Sequence, residues 1–153
     1  VITTAQGITE TQALGIALAS AYSTKSGLVI DSIKGEAQIK IGEAEVNAAK
    51  SAAVIMAMNN IYYRSIHFAG DEEIEKMPAG LRMQVIGNPG VDKVDFELYA
   101  LAVSAVNGCG ACVESHVKQA LNAGVTKQGV QSTLKIAAVI NAAAQAAYIS
   151  ENS

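Results

Sequence analysis

An all-α fold is predicted for this 153-residue chain by three observations. Half of the residues are hydrophobic but only 5% are aromatic, so the core must be built from Ala, Val, Ile and Leu. Small side chains of that kind let helix axes approach closely. Only two prolines interrupt the pattern. Apolar residues recur at i, i+3 and i+4 over long stretches, and no segment alternates with the period of a strand. The length suits one domain over residues 1–153, with a core of its own.

The first helix starts at Thr9. Thr9 can cap it, and Gln12 follows at capping-box spacing. Leu14, Ala17, Leu18 and Ala21 continue at helical spacing. The stretch 23–27 breaks the pattern, and a short helix is predicted from Leu28 to about Gln38. One long helix is predicted from Glu43 to about Ala69, with Val46, Ala49, Ala53, Met56 and Ala57 as its stripe. Its segment Ala52–Met58 is apolar all round and is expected to be buried on every face. Asn59 and Asn60 follow at once. Buried amides need partners, and neighbouring backbone is the expected one, with a direct role in a site as the alternative.

Residues 70–90 form the least regular region. The run from Asp71 to Glu75 suits a helical turn, and Met77-Pro78-Ala79-Gly80 and Gly87-Asn88-Pro89-Gly90 are turn signals. The next helix starts near Asp92 or Asp95 and runs to Val106, where Asn107-Gly108 stops it, Gly108 suiting a left-handed cap. Another helix starts at the cysteines and ends near Ala123. Thr126 caps the last helix, predicted to extend to about Ile149. Val130, Leu134, Ala137, Ala138, Ile140 and Ala144 give it a wide apolar arc, with one face for the subunit and another for a partner subunit.

Composition narrows the function classes. The net charge of -3 and the lack of a basic run argue against nucleic acid as a partner. The longest strictly apolar run, Ala52–Met58, has seven residues, against roughly 20 needed to span a bilayer. No basic region precedes an apolar one near the N-terminus, so no signal peptide is expected. Val1 leaves open whether residues precede it. Two cysteines do not make a secreted disulfide scaffold. A close pair in a reducing, cytoplasmic setting suits catalysis or metal binding better than structure.

Both cysteines and one of two histidines fall in Asn107-Gly108-Cys109-Gly110-Ala111-Cys112-Val113-Glu114-Ser115-His116. A Cys-x-x-Cys pair at a helix start brings two sulfurs within disulfide reach, and the first-turn N–H groups favour a thiolate there. His116 lies at i+4 from Cys112, one turn on and on the same face. It can accept the proton of Cys112, or hold a water that does. Structural zinc competes with this reading. A closed zinc site usually needs four ligands, and only Cys109, Cys112, His116 and a remote His67 or carboxylate are available. Two inert cysteines with a surface histidine form the bland alternative.

Glu97 is the second candidate. The run Phe96 to Val106 is nearly apolar, so its carboxylate is expected to be desolvated and able to act as a proton acceptor. A first-turn glutamate held by the helix dipole is the alternative. His67 is expected at a partly exposed helix end. Tyr62, Tyr63 and Arg64 are expected to pack or face solvent, and Glu114 to face solvent.

Glu97, then Asn107-Gly108-Cys109-x-x-Cys112-x-x-x-His116, resembles the AhpD alkylhydroperoxidases of the carboxymuconolactone decarboxylase-like superfamily. The segment Met56 to Arg64, Gly80-Leu81-Arg82-Met83 and Gly87 to Gly90 share the resemblance, which covers roughly residues 44–147. It implies an all-α domain with the cysteine pair at a helix start, a homotrimer, and an antioxidant thiol peroxidase acting on hydroperoxides. It implies that Glu97 and His116 form a proton relay, often through water, activating Cys112, with Cys109 as disulfide partner. Some members carry a histidine just before the second cysteine; here Ala111 stands there. No bound cofactor is implied. Electrons are expected from the lipoyl group of a dihydrolipoamide-bearing acyltransferase, and the peroxiredoxin AhpC is the expected partner. Spacing leaves the attacking cysteine open. The dipole favours Cys109, but it contributes only roughly 0.3–1 kcal/mol, so a base one turn away favours Cys112. A decarboxylase of the wider superfamily and a thiol–disulfide carrier without peroxidase activity are the alternative functions.

Overall fold

The computed structural model describes residues 2–153 and contains eight helices among them, with no strand. They are α1 (Glu10–Thr24), α2 (Gly27–Lys40), α3 (Glu43–Ala69), α4 (Glu72–Lys76), α5 (Gln84–Gly87), α6 (Lys93–Val106), α7 (Gly110–Asn122) and α8 (Lys127–Glu151). The all-α expectation holds, and the predicted boundaries of α3 match.

Local signals set the starts. At α1 the Thr9 hydroxyl accepts the Gln12 N–H at 3.0 Å while the Gln12 side chain accepts the Thr9 N–H at 2.9 Å. Thr126 caps α8 by accepting the Gly129 N–H. Ser26 caps α2 in the same way, so that helix starts at Gly27 and runs two residues past the predicted end at Gln38.

Two helices form the centre. Every residue of Ala13–Ala21 in α1 is buried, and so is every residue of Leu98–Ser104 in α6. A helix buried all round must be enclosed, and α1 is, by α2, α3, α6 and α8. Small residues make the closeness possible. A Cβ built on Gly15 would overlap the Tyr99 phenol of α6. Gly15→Ala must therefore displace a fully buried ring. It is expected to cost about 1–3 kcal/mol by overpacking, read as a lower melting temperature; an unchanged melting temperature would refute the contact.

The expectation for Ala52–Met58 fails on one side. Ala52 and Met56 are buried, but Val54 is 69% exposed and Ala57 is also exposed. α3 packs one face on α1, α6 and α7. Its opposite face carries the exposed apolar side chains Val54, Ala57, Ile61 and Phe68. α8 behaves alike. It buries Ile136, Ala137, Ile140 and Ala144 and exposes Ala138, Val139, Ala142 and Ile149. Ala138, read from sequence as part of the apolar arc, lies on the outer face. Among the described residues no helix is long and apolar enough to cross a membrane.

Candidate active site

The site is the junction of α6 and α7. Gly108 takes a left-handed φ of 71°. Its N–H reaches the Ala105 carbonyl at 3.1 Å, and the Cys109 N–H reaches Ser104 at 3.1 Å. That pair of bonds is a Schellman ending for α6. Cys109 is then at once the N-cap of α7, with its sulfur accepting the Cys112 N–H at 3.3 Å. The helix end, the turn and the helix start are therefore one unit, and Cys112 falls in the first turn of α7.

Polar side chains brace the turn from behind. Asn107 donates to the Asn60 carboxamide oxygen at 3.0 Å, and Asn60 donates to the Ser104 hydroxyl at 2.9 Å. Ser23 donates to the Asn107 side chain, and Arg64 donates to the Asn107 carbonyl. Asn60 and Ser104 are fully buried. A satisfied buried network of this kind rigidifies what it touches.

Cys109 and Cys112 are joined as a disulfide, with their Cα atoms 5.3 Å apart. The two sulfurs are not equivalent. Cys109 is wholly buried, whereas Cys112 lines a cavity of about 290 Å3. Ala111 and His116 of α7, Asn59 and Tyr63 of α3, and Met83 complete most of its wall. A reagent in this cavity meets Cys112 first.

His116 reaches across the junction, its Nδ1 hydrogen-bonded to Glu97 Oε1 of α6. The two side chains are 16% and 21% exposed. With Nδ1 committed to the carboxylate, Nε2 is the nitrogen left to act as a base. No direct hydrogen bond joins His116 to Cys112; the Cys112 sulfur lies 3.9 Å from the Asn59 carbonyl.

All four predicted site residues thus meet at one junction, with one correction. Glu97 is part-exposed beside an imidazole rather than enclosed by apolar groups. Its helix turns that position toward α7. On the same helix, burial pushes the Asp95 carboxyl above its ordinary range. There the Gln12 hydrogen bond opposes burial, and the charges of Asp92 and Glu45 add to it.

Other expectations divide. His67 is exposed at the end of α3 and Glu114 is exposed on α7, as predicted. Asn59 and Asn60 do not bond to neighbouring backbone. Their donors go to Met83 and Ser104, distant side chains. Tyr63 lines the cavity and Arg64 holds the cysteine turn, so neither is a bystander. Adjacent amides in an apolar helix were a usable signal for Asn59. Met83 carried no local one.

The Carboxymuconolactone decarboxylase family matches residues 72–150. The "Alkyl hydroperoxide reductase AhpD" of Coxiella burnetii (strain RSA 493 / Nine Mile phase I) is 49% identical over 138 residues, 90% of this chain and 78% of that protein. That of Rhodopseudomonas palustris (strain BisA53) is 52% identical over 130 residues, 85% of this chain and 72% of its own. That of Rhodospirillum centenum (strain ATCC 51521 / SW) is 49% identical over 133 residues, 87% and 72% of the two chains. With this identity over most of its length, the chain belongs to the AhpD family of alkyl hydroperoxide reductases.

Proposed function

We propose that the protein is a thiol-dependent alkyl hydroperoxidase. The observation that carries this reading is the Cys109–Cys112 disulfide with one sulfur open to a cavity, beside a histidine paired with a glutamate. In the reduced state, His116 Nε2 takes the Cys112 proton through a bridging water, and Glu97 stabilises the imidazolium. The Cys112 thiolate attacks the terminal oxygen of a hydroperoxide. The S–O bond forms, the O–O bond breaks, and the departing alkoxide takes up a proton to leave as an alcohol. Cys112 is now a sulfenic acid. The Cys109 sulfur attacks it, water leaves, and the disulfide closes.

Reduction runs by exchange. A dithiol enters the cavity and attacks Cys112, Cys109 leaves as a thiolate, and the second donor thiol closes the donor's own disulfide. A lipoyl group on an acyltransferase suits this step, being a dithiol on a slender, largely apolar arm. No bound cofactor is required. The peroxiredoxin AhpC is the partner to which reducing equivalents pass, and the cytoplasm is the reducing compartment in which such a pair cycles. The outward faces of α3 and α8 carry exposed apolar side chains, which support association of copies, and a homotrimer is the assembly we propose. Light scattering is expected to give three times the chain mass; the mass of one chain would remove the trimer.

The test is consumption of cumene hydroperoxide with dihydrolipoamide as sole reductant, lost on thiol alkylation. No consumption by the fresh protein would overturn the reading.

A further inference from the structure

Asn59 is buried to 6% exposure, yet its hydrogen-bonding capacity is almost unused. Its Oδ1 is buried with no hydrogen-bond partner among the described residues. Its Nδ2 donates to the Met83 thioether at 3.0 Å, a weak acceptor. Buried amides in folded proteins are normally satisfied, and one that is not calls for an explanation. Here the exception sits in the wall of the cysteine cavity, and its own backbone carbonyl lies 3.9 Å from the Cys112 sulfur. The neighbouring Asn60 is the contrast, since both ends of its amide are bonded within the brace behind the turn.

The geometry points to Asn59 as a catalytic residue that recognises the hydroperoxide group itself. This assignment rests on the peroxidase reading above. A hydroperoxide has one O–H donor, on the terminal oxygen, and an acceptor on the inner oxygen. A carboxamide offers the complement, one acceptor and two N–H donors, at a matching span. The thioether is a flexible and easily displaced placeholder. When the substrate displaces it, Oδ1 accepts the O–H of the terminal oxygen and Nδ2 donates to the inner oxygen. The terminal oxygen is then held for attack by Cys112. As the S–O bond forms and the O–O bond breaks, the electron pair moves onto the inner oxygen, and the Nδ2–H is already aimed at that growing charge. The proton then taken up by the alkoxide comes from the His116 relay, so Asn59 itself is neither protonated nor consumed.

The dithiol half of the cycle makes no such demand, because no oxygen leaves. The two halves can be measured apart. Pre-reduced protein is mixed with cumene hydroperoxide and thiol loss is followed. Oxidised protein is mixed with dithiothreitol and disulfide loss is followed. Asn59→Ala is expected to slow the first by about 10²-fold, the scale of one lost oxyanion donor. The second is expected to stay within about threefold of the parent rate. Asn59→Ser, too short to span both oxygens, carries the same expectations and replaces Asn59→Ala if that variant does not fold. Equal slowing of both halves would mean that Asn59 only shapes the site, and an unchanged peroxide step would mean that it does nothing there; each overturns the assignment. If the parent protein reduces its disulfide with dithiothreitol but never consumes hydroperoxide, the peroxidase reading falls first and this one with it.

Discussion

Cys112→Ser is expected to stop steady-state hydroperoxide consumption with dihydrolipoamide, lowering the rate at least about 10³-fold. A serine hydroxyl does not ionise near neutral pH, and oxygen cannot form the disulfide that the donor reduces. Cys112 is the sulfur that meets the cavity, so no second nucleophile stands in its place. Cys109→Ser should behave differently. Its Cys112 still attacks, so the reduced variant consumes one equivalent of hydroperoxide in a burst. With no dithiol added, the sulfenic acid then has no partner, and consumption stops at that one equivalent. Sustained turnover by Cys112→Ser would remove the nucleophile assignment, and a Cys109 thiol that still titrates in the parent protein after one equivalent of hydroperoxide would remove the disulfide step.

Loss of the relay is the second large effect. Glu97→Gln and His116→Phe are each expected to slow the peroxide step by about 10²–10⁴-fold, the usual worth of a positioned base. The two side chains act as one unit through the Nδ1 to Oε1 contact. The double variant should therefore be little worse than the poorer single one. The pH profile gives the sharper readout. With the base in place the thiol proton passes to His116. Without it, Cys112 must ionise unaided, and a free cysteine does so only at about 8.5. The rising limb of rate against pH should then move upward. A limb that stays put in His116→Phe would separate the imidazole from the thiol.

What could be read from sequence was mostly local. The capping box at Thr9, the Thr126 cap and the Asn107-Gly108 stop each depend on residues a few positions apart, and each is realised. The spacing of Cys109, Cys112 and His116 likewise needs only one helix. Glu97 required the turn to fold α6 back on α7, which the left-handed Gly108 accomplishes. The failures are of another kind. Periodicity reports which residues share a face, not what that face meets. Val54 and Ala57 look like core for that reason but are exposed on the outer face of α3. Asn59 and Met83 are twenty-four positions apart and meet only through the fold. Tyr63 looked like packing because nothing in its neighbourhood of sequence reveals that α3 walls the cysteine cavity.

In the proposed cycle Cys109 and Cys112 carry the electrons between a hydroperoxide and a dithiol. The most direct measurement treats the fully reduced protein with one equivalent of cumene hydroperoxide, without reductant, and follows thiol titre and intact mass. Both thiols are expected to vanish, the mass to fall by two hydrogens, and one equivalent of cumyl alcohol to form. Hydroperoxide consumed with both thiols still titrating, or thiols intact with the hydroperoxide untouched, would contradict the cycle.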